Sequence, residues 1–148
     1  MSNSFFEKIN QKISDTRADQ SNAAAQIATA RAYSAEQIAN AIPVAKAYAD
    51  QLALQKIKVL MIPQEQSISF SMYWADGTDH GFWLVIDEPT GKLQFKYHTT
   101  DAVDLRRSNS TGMDLYSRAN WTQDIFVETL EREIEDFIDQ SKAHGGLA

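Results

Sequence analysis

His80 and His98 stand close in sequence to carboxylates, with Asp76 and Asp79 before the first and Asp101 after the second. Imidazole beside carboxylate is the raw material of a metal centre or an acid–base pair. The spacing favours neither. There is no H-x-x-x-H or H-x-H, His80 directly follows the turn-forming Asp76-Gly77-Thr78-Asp79, and Asp and His in turns usually make local hydrogen bonds. The third histidine, His144, belongs to the C-terminal tail. The absence of cysteine excludes disulfides, thiolate zinc sites and cysteine nucleophiles. No G-x-S-x-G elbow, P-loop or phosphate-cradling glycine loop is present. The expectation is a non-enzymatic protein with no catalytic residue, no cofactor and no metal.

Surfaces for partners are the other source of function. The net charge of −6 over 148 residues argues against nucleic acid, whose backbone demands clustered Lys and Arg. No apolar run is long enough to cross a bilayer, so membrane insertion is not expected. The N-terminal residues have neither a basic region nor a following apolar stretch of leader type, so assembly in a cytoplasm is expected. For the same reason Asn120-Trp121-Thr122 reads as a helix cap rather than a glycosylation site. Tyr73 and Trp83 fall opposite the main apolar stripes of their strands. With Arg106 and Arg107 they make a candidate partner surface. The last helix carries Asp124, Glu128, Glu131, Glu133, Glu135, Asp136 and Asp139, a row interrupted by the one cation Arg132. Such a row is usually a solvated face, and it also suits a small acidic inhibitor of a nucleic-acid-binding defence protein.

The elements that must position these groups fall into a stalk and a head. Residues 4–41 read as one helix, with Ser4 and Glu7 at capping-box spacing. Its heptad seam runs Phe6, Ile13, Gln20, Ile27 and Ser34 at one position and Ile9, Thr16, Ala23 and Ala30 at the other, shifting to Ile38 after a stutter. Ile at both Ile9 and Ile13 leans towards more than two strands, and a trimer is expected. The alternative is a stripe packed on the chain's own domain. Pro43 is expected to kink or restart the helix, and a second helix over 44–60 links to the head, with Pro63 closing it. The domains are then 1–42 (oligomerising stalk), 43–63 (connector) and 64–148 (head).

In the head, Ile68, Phe70, Met72 and Trp74 alternate with polar or half-polar neighbours, which predicts a strand over 66–75. Residues 81–87 are apolar almost throughout and predict a central strand covered on both faces. Glu88-Pro89-Thr90-Gly91 predicts a hairpin turn with glycine left-handed, returning into a strand over 92–99. Residues 100–119 read as a loop. A helix capped by Asn120, over 121–142, would cover one sheet face with Ile125, Phe126, Leu130, Ile134, Phe137 and Ile138, leaving Gly145-Gly146 as a loose tail. The fold class is α+β: a long coiled-coil helix followed by three antiparallel strands packed on a C-terminal helix.

Ala30-Arg31-Ala32-Tyr33-Ser34 returns as Ala45-Lys46-Ala47-Tyr48-Ala49-Asp50, with Gln26-Ile27-Ala28-Thr29 before the first. These units resemble the Ala-Lys-x-Tyr-Ala-Asp linkers of bacteriophage tail-fibre and related virion fibre proteins, over about residues 20–55. The resemblance implies a homotrimeric virion protein whose N-terminal part docks on other virion proteins. With two units and no glycine-rich or β-helical shaft, a short fibre, spike, or neck or tail adaptor is the expected type.

Overall fold

The computed structural model describes residues 2–147; Met1 and Ala148, at the outer ends of the expected stalk and head, lie outside the described residues. Helix α1 spans Ser2–Leu54, followed by strands β1 (Lys58–Pro63), β2 (Ser67–Tyr73), β3 (Asp79–Ile86), β4 (Leu93–Thr100) and β5 (Arg107–Thr111). Helix α2 (Gln123–Gln140) and a 3-10 turn (Ser141–His144) complete the chain. The sheet is an antiparallel meander in the order β1-β2-β3-β4-β5. The α+β class and the three expected strands, here β2 to β4, are present. Two more strands flank them.

β1 occupies residues assigned above to the end of a helix. Lys56, at φ 62, ends α1, and Val59 and Met61 then pack towards the core. β5 lies in the expected loop. It is exposed and polar throughout, so it has no alternation to announce it. The Asp101–Arg106 turn folds it back, with Asp101 N–H donating to the Arg106 carbonyl at 2.9 Å, and it pairs with β4 at the edge of the sheet.

Pro43 does not divide α1. A proline inside a helix loses one backbone bond and costs about 3 kcal/mol, but Ile38, Ala41 and Ala45 are fully buried on both sides of it while Pro43 faces outward. Burial of one stripe against one sheet holds the two halves together. The heptad positions of Ser34 continue through Ala41 and Tyr48, and those of Ile38 through Ala45 and Leu52. These residues form the sheet-facing side of α1. Ser34 and Ile38 therefore leave the expected oligomer seam: both are 0% exposed, and the Ser34 hydroxyl donates to the Gly91 carbonyl at 2.7 Å.

α1 covers β1 and β2, and α2 lies beside it over β3. Phe126, Leu130 and Phe137 are fully buried and meet Phe70, Phe82, Leu84 and Leu93 of the sheet in one core. Ile138, placed on the buried stripe by its spacing, is 43% exposed, whereas Glu133 is buried. The β3 segment is covered by helices on one face only: Phe82, Leu84 and Ile86 are buried while Trp83 and Val85 on the other face are half-buried.

The ends also differ from expectation. α1 already includes Ser2, so Ser4 is not its cap. Thr122, not Asn120, occupies the N-cap of α2; the Asn120 carboxamide accepts from Ser117 N–H at 2.7 Å and closes the preceding turn. The tail is docked rather than loose. Ala75 N–H donates to the Gly146 carbonyl and Asp76 N–H to that of His144, at 3.0 and 3.1 Å.

Candidate functional site

The face of the sheet left bare by the helices gathers most of the chemistry. Register decides this. Ser71 of β2 pairs with Gly81 of β3, and Gly81 pairs with His98 of β4, so the three form one row across the sheet. Neighbouring strands lie about 4.8 Å apart, and the central residue has no side chain. The His98 ring therefore lies across Gly81 and brings Nε2 to 3.2 Å from Ser71 Oγ. Asp79 Oδ2 stands 3.2 Å from the same nitrogen, and Arg107 Nη2 lies 3.6 Å from Asp79 Oδ2. Trp83 closes the site from above, its ring 4.6 Å from that of His98 and 5.7 Å from the Arg107 guanidinium.

Ser71, His98 and Asp79 are the residue types of a nucleophilic triad, but they do not form one. A triad uses one imidazole nitrogen for the hydroxyl and the other for the carboxylate. Here both partners approach Nε2, and Nδ1 is buried with no hydrogen-bond partner. Protonating the ring would bury an N–H without an acceptor. Burial, opposed by the Asp79 carboxylate and assisted by the Arg107 charge, accordingly lowers the His98 pKa from 6.5 to about 4.

A pH dependence follows. Because the folded-state pKa lies below the unfolded one, between about pH 6.5 and 4 the unfolded chain binds a proton that the folded chain refuses. Stability is fully present above this window and is lost as pH falls through it, by on the order of 3 kcal/mol from this group. Melting curves from pH 7 to 4.5 should show the decline, and His98→Gln should flatten it. An equally steep profile in the variant would assign the decline to another group.

The structure places all three histidines beside carboxylates. His98 meets Asp79. His80 lies on the helix-covered face, with Nε2 2.8 Å from Glu133 Oε2. His144 is buried, with Nδ1 2.9 Å from Asp76 Oδ2. Asp76 is held below the usual carboxylate range chiefly by the Thr78 hydroxyl. Asp101 pairs with neither His80 nor His98; it accepts the backbone N–H groups of Val103 and Asp104 and is lowered by them. Of the candidate partner surface, Tyr73, Trp83 and Arg107 share the bare face. Lys58 lies 4.9 Å over the Tyr73 ring. Arg106 sits in the turn before β5. Leu60 and Ile62, on the same face of the edge strand β1, are 46% and 43% exposed.

The second candidate surface is the free part of α1. Domain contact begins near Ile27, whose carbonyl lies against Gly91, and at Arg31, which reaches Glu88 at 3.5 Å. Before it, residues 2–26 project by about 38 Å at about 1.5 Å per residue. Phe6 and Ile13 are 57% and 43% exposed, and Thr16, Gln20 and Ala23 are exposed. Ile9, Ile27 and Ala30 are half-buried. Phe5, at 57% exposure, adds to the apolar tip. No helix of the described residues is long and apolar enough to cross a membrane. Comparison with protein-family models, curated proteins and solved structures gives no match.

Proposed function

We propose that the protein is a non-enzymatic structural subunit of a virus particle, a short fibre, spike, or neck or tail adaptor assembled in the host cytoplasm. Residues 2–26 would bundle with the same segment of two further copies and engage other virion proteins, while the α+β head is displayed beyond the bundle. One observation carries this reading. The seam of α1 is satisfied by the sheet from Ser34 onward, yet its N-terminal half presents Phe6, Ile9 and Ile13 with no second element beside it among the described residues. A helix of this length gains little stability alone, because helices in water depend on burying an apolar face. The polar Thr16 and Gln20 in the seam would fix register.

Sedimentation equilibrium tests the assembly. The full chain at tens of micromolar is expected to be a trimer that persists in high salt, because its seam is apolar. Ile9→Asp together with Ile13→Asp should give folded monomers. Mass spectrometry of purified particles tests the location. A salt-resistant monomer absent from particles would overturn the proposal. If it also captured a basic nucleic-acid-binding protein in a salt-sensitive way through the exposed Glu128, Glu131, Glu135 and Asp139, the acidic-inhibitor reading would replace it.

A further inference from the structure

The helix-covered face carries a cluster that assembly does not use. His80 is 6% exposed, and its Nδ1 is held 2.9 Å from Thr99 Oγ1. Its Nε2 is buried and makes no hydrogen bond, although Glu133 Oε2 is 2.8 Å away, because that oxygen lies off the line in which an N–H would donate. Asp136, three residues on and hence on the same side of α2, supplies a second carboxylate. Ligand atoms of His80, Glu133 and Asp136 all lie within 4.8 Å of one another. They border a cleft of about 250 Å³ between α2 and β4–β5, whose walls include the hydroxyl residues Thr99, Ser108 and Ser110.

We propose that His80 Nε2 and one carboxylate oxygen each of Glu133 and Asp136 bind a single divalent transition-metal cation, with zinc the best fit. In the tautomer whose Nδ1–H donates to Thr99 Oγ1, Nε2 carries a free lone pair, and a cation bound beside it would satisfy that nitrogen and the Glu133 carboxylate together. The Thr99 contact is the outer hydrogen bond that orients a ligating imidazole. Arg132 Nε lies 3.7 Å from Glu133 Oε1, on the oxygen opposite the one facing His80. With metal–ligand bonds of about 2.0–2.1 Å and a tetrahedral angle, the 2.8 Å nitrogen–oxygen separation would open by about 0.5 Å on binding, and the cleft has room for water at the remaining position. An imidazole in the set favours zinc-like ions over magnesium and calcium, which prefer oxygen alone. Such an ion would tie β3 to α2.

The test is titration of chelator-treated protein with Zn²⁺ by calorimetry, with long-range ¹H–¹⁵N spectra of the imidazoles. One ion per chain is expected, the His80 Nε2 resonance moving while those of His98 and His144 stay. Mg²⁺ should give no response. Asp136 is the least buried of the three ligands; Asp136→Asn should keep the fold, checked by circular dichroism, and weaken binding at least tenfold, and Glu133→Gln should weaken it too. No binding at millimolar Zn²⁺, movement of His98 or His144 instead, equal binding of Mg²⁺, or unchanged affinity in Asp136→Asn would each overturn the proposal.

Discussion

Gly81→Ala is expected to destabilise the protein by about 3 kcal/mol or more, beyond the usual effect of one added methyl group, because the collision is with backbone. A Cβ at this position would overlap the Phe70 carbonyl oxygen and stand 2.9 Å from both the Phe70 carbonyl carbon and Ser71 Cα. A side chain can rotate away from a clash; the β2 backbone cannot without breaking its pairing to β3. Because His98 reaches Ser71 across this position, displacing β2 from β3 would also disturb that contact. Two measurements separate these consequences. Chemical denaturation gives the total loss, and the acid profile shows whether the buried imidazole has been displaced, since a solvated His98 no longer resists protonation. A loss under about 1 kcal/mol would mean that β2 and β3 do not approach as described.

Gly81 also shows why the site was harder to read than the fold. Strands β2 and β4 declared themselves through alternation, as in Ile68, Phe70, Met72 and Trp74, β3 through its nearly unbroken apolar run, and the hairpin turn through Gly91, which is left-handed at φ 72. Both signals are local. Ser71, Gly81 and His98 become neighbours only through strand register, which no local pattern specifies. The lone glycine before an apolar run was the available hint, since glycine inside a strand often marks close approach by another group. Glu133 left a clearer trace: it lies between Leu130 and Phe137 at helical spacing, so an inward carboxylate could have been expected and a partner sought among the histidines. The continuity of α1 through Pro43 was not legible locally, because the stabilisation comes from Ile38, Ala41 and Ala45 against a distant sheet. β5 left no trace because its residues bury nothing. Periodicity names a buried face without naming what buries it: in this chain the sheet covers the stripe from Ser34 onward, and the residues before Ile27 have no such cover among the described residues.

Phe137→Ala should cost about 3–5 kcal/mol, in the range for deleting a buried aromatic ring. Phe137 is 0% exposed and stacks on Trp74, with centroids 5.1 Å apart and planes 13° from parallel. Trp74 also stacks on His144, at 3.7 Å and 5°, and the His80 ring lies tilted 5.8 Å from it. Trp74 Nε1–H also donates to the Phe137 carbonyl at 2.9 Å. Strand β2, helix α2 and the C-terminal turn thus meet at one indole. Removing the phenyl ring leaves a cavity beside it and takes away one wall of the stack, while the backbone hydrogen bond from Trp74 is untouched. The loss should therefore appear first as local loosening. Amide exchange should quicken at Ala75 and Asp76, whose N–H groups donate to the tail, and Trp74 fluorescence should shift to the red as water reaches the ring. Phe137→Leu, which keeps most of the volume but not the stack, should cost clearly less. Equal losses for the two variants would show that aromatic geometry, rather than filled volume, holds this corner; a loss near zero for Phe137→Ala would mean that α2 does not cover the sheet through this residue.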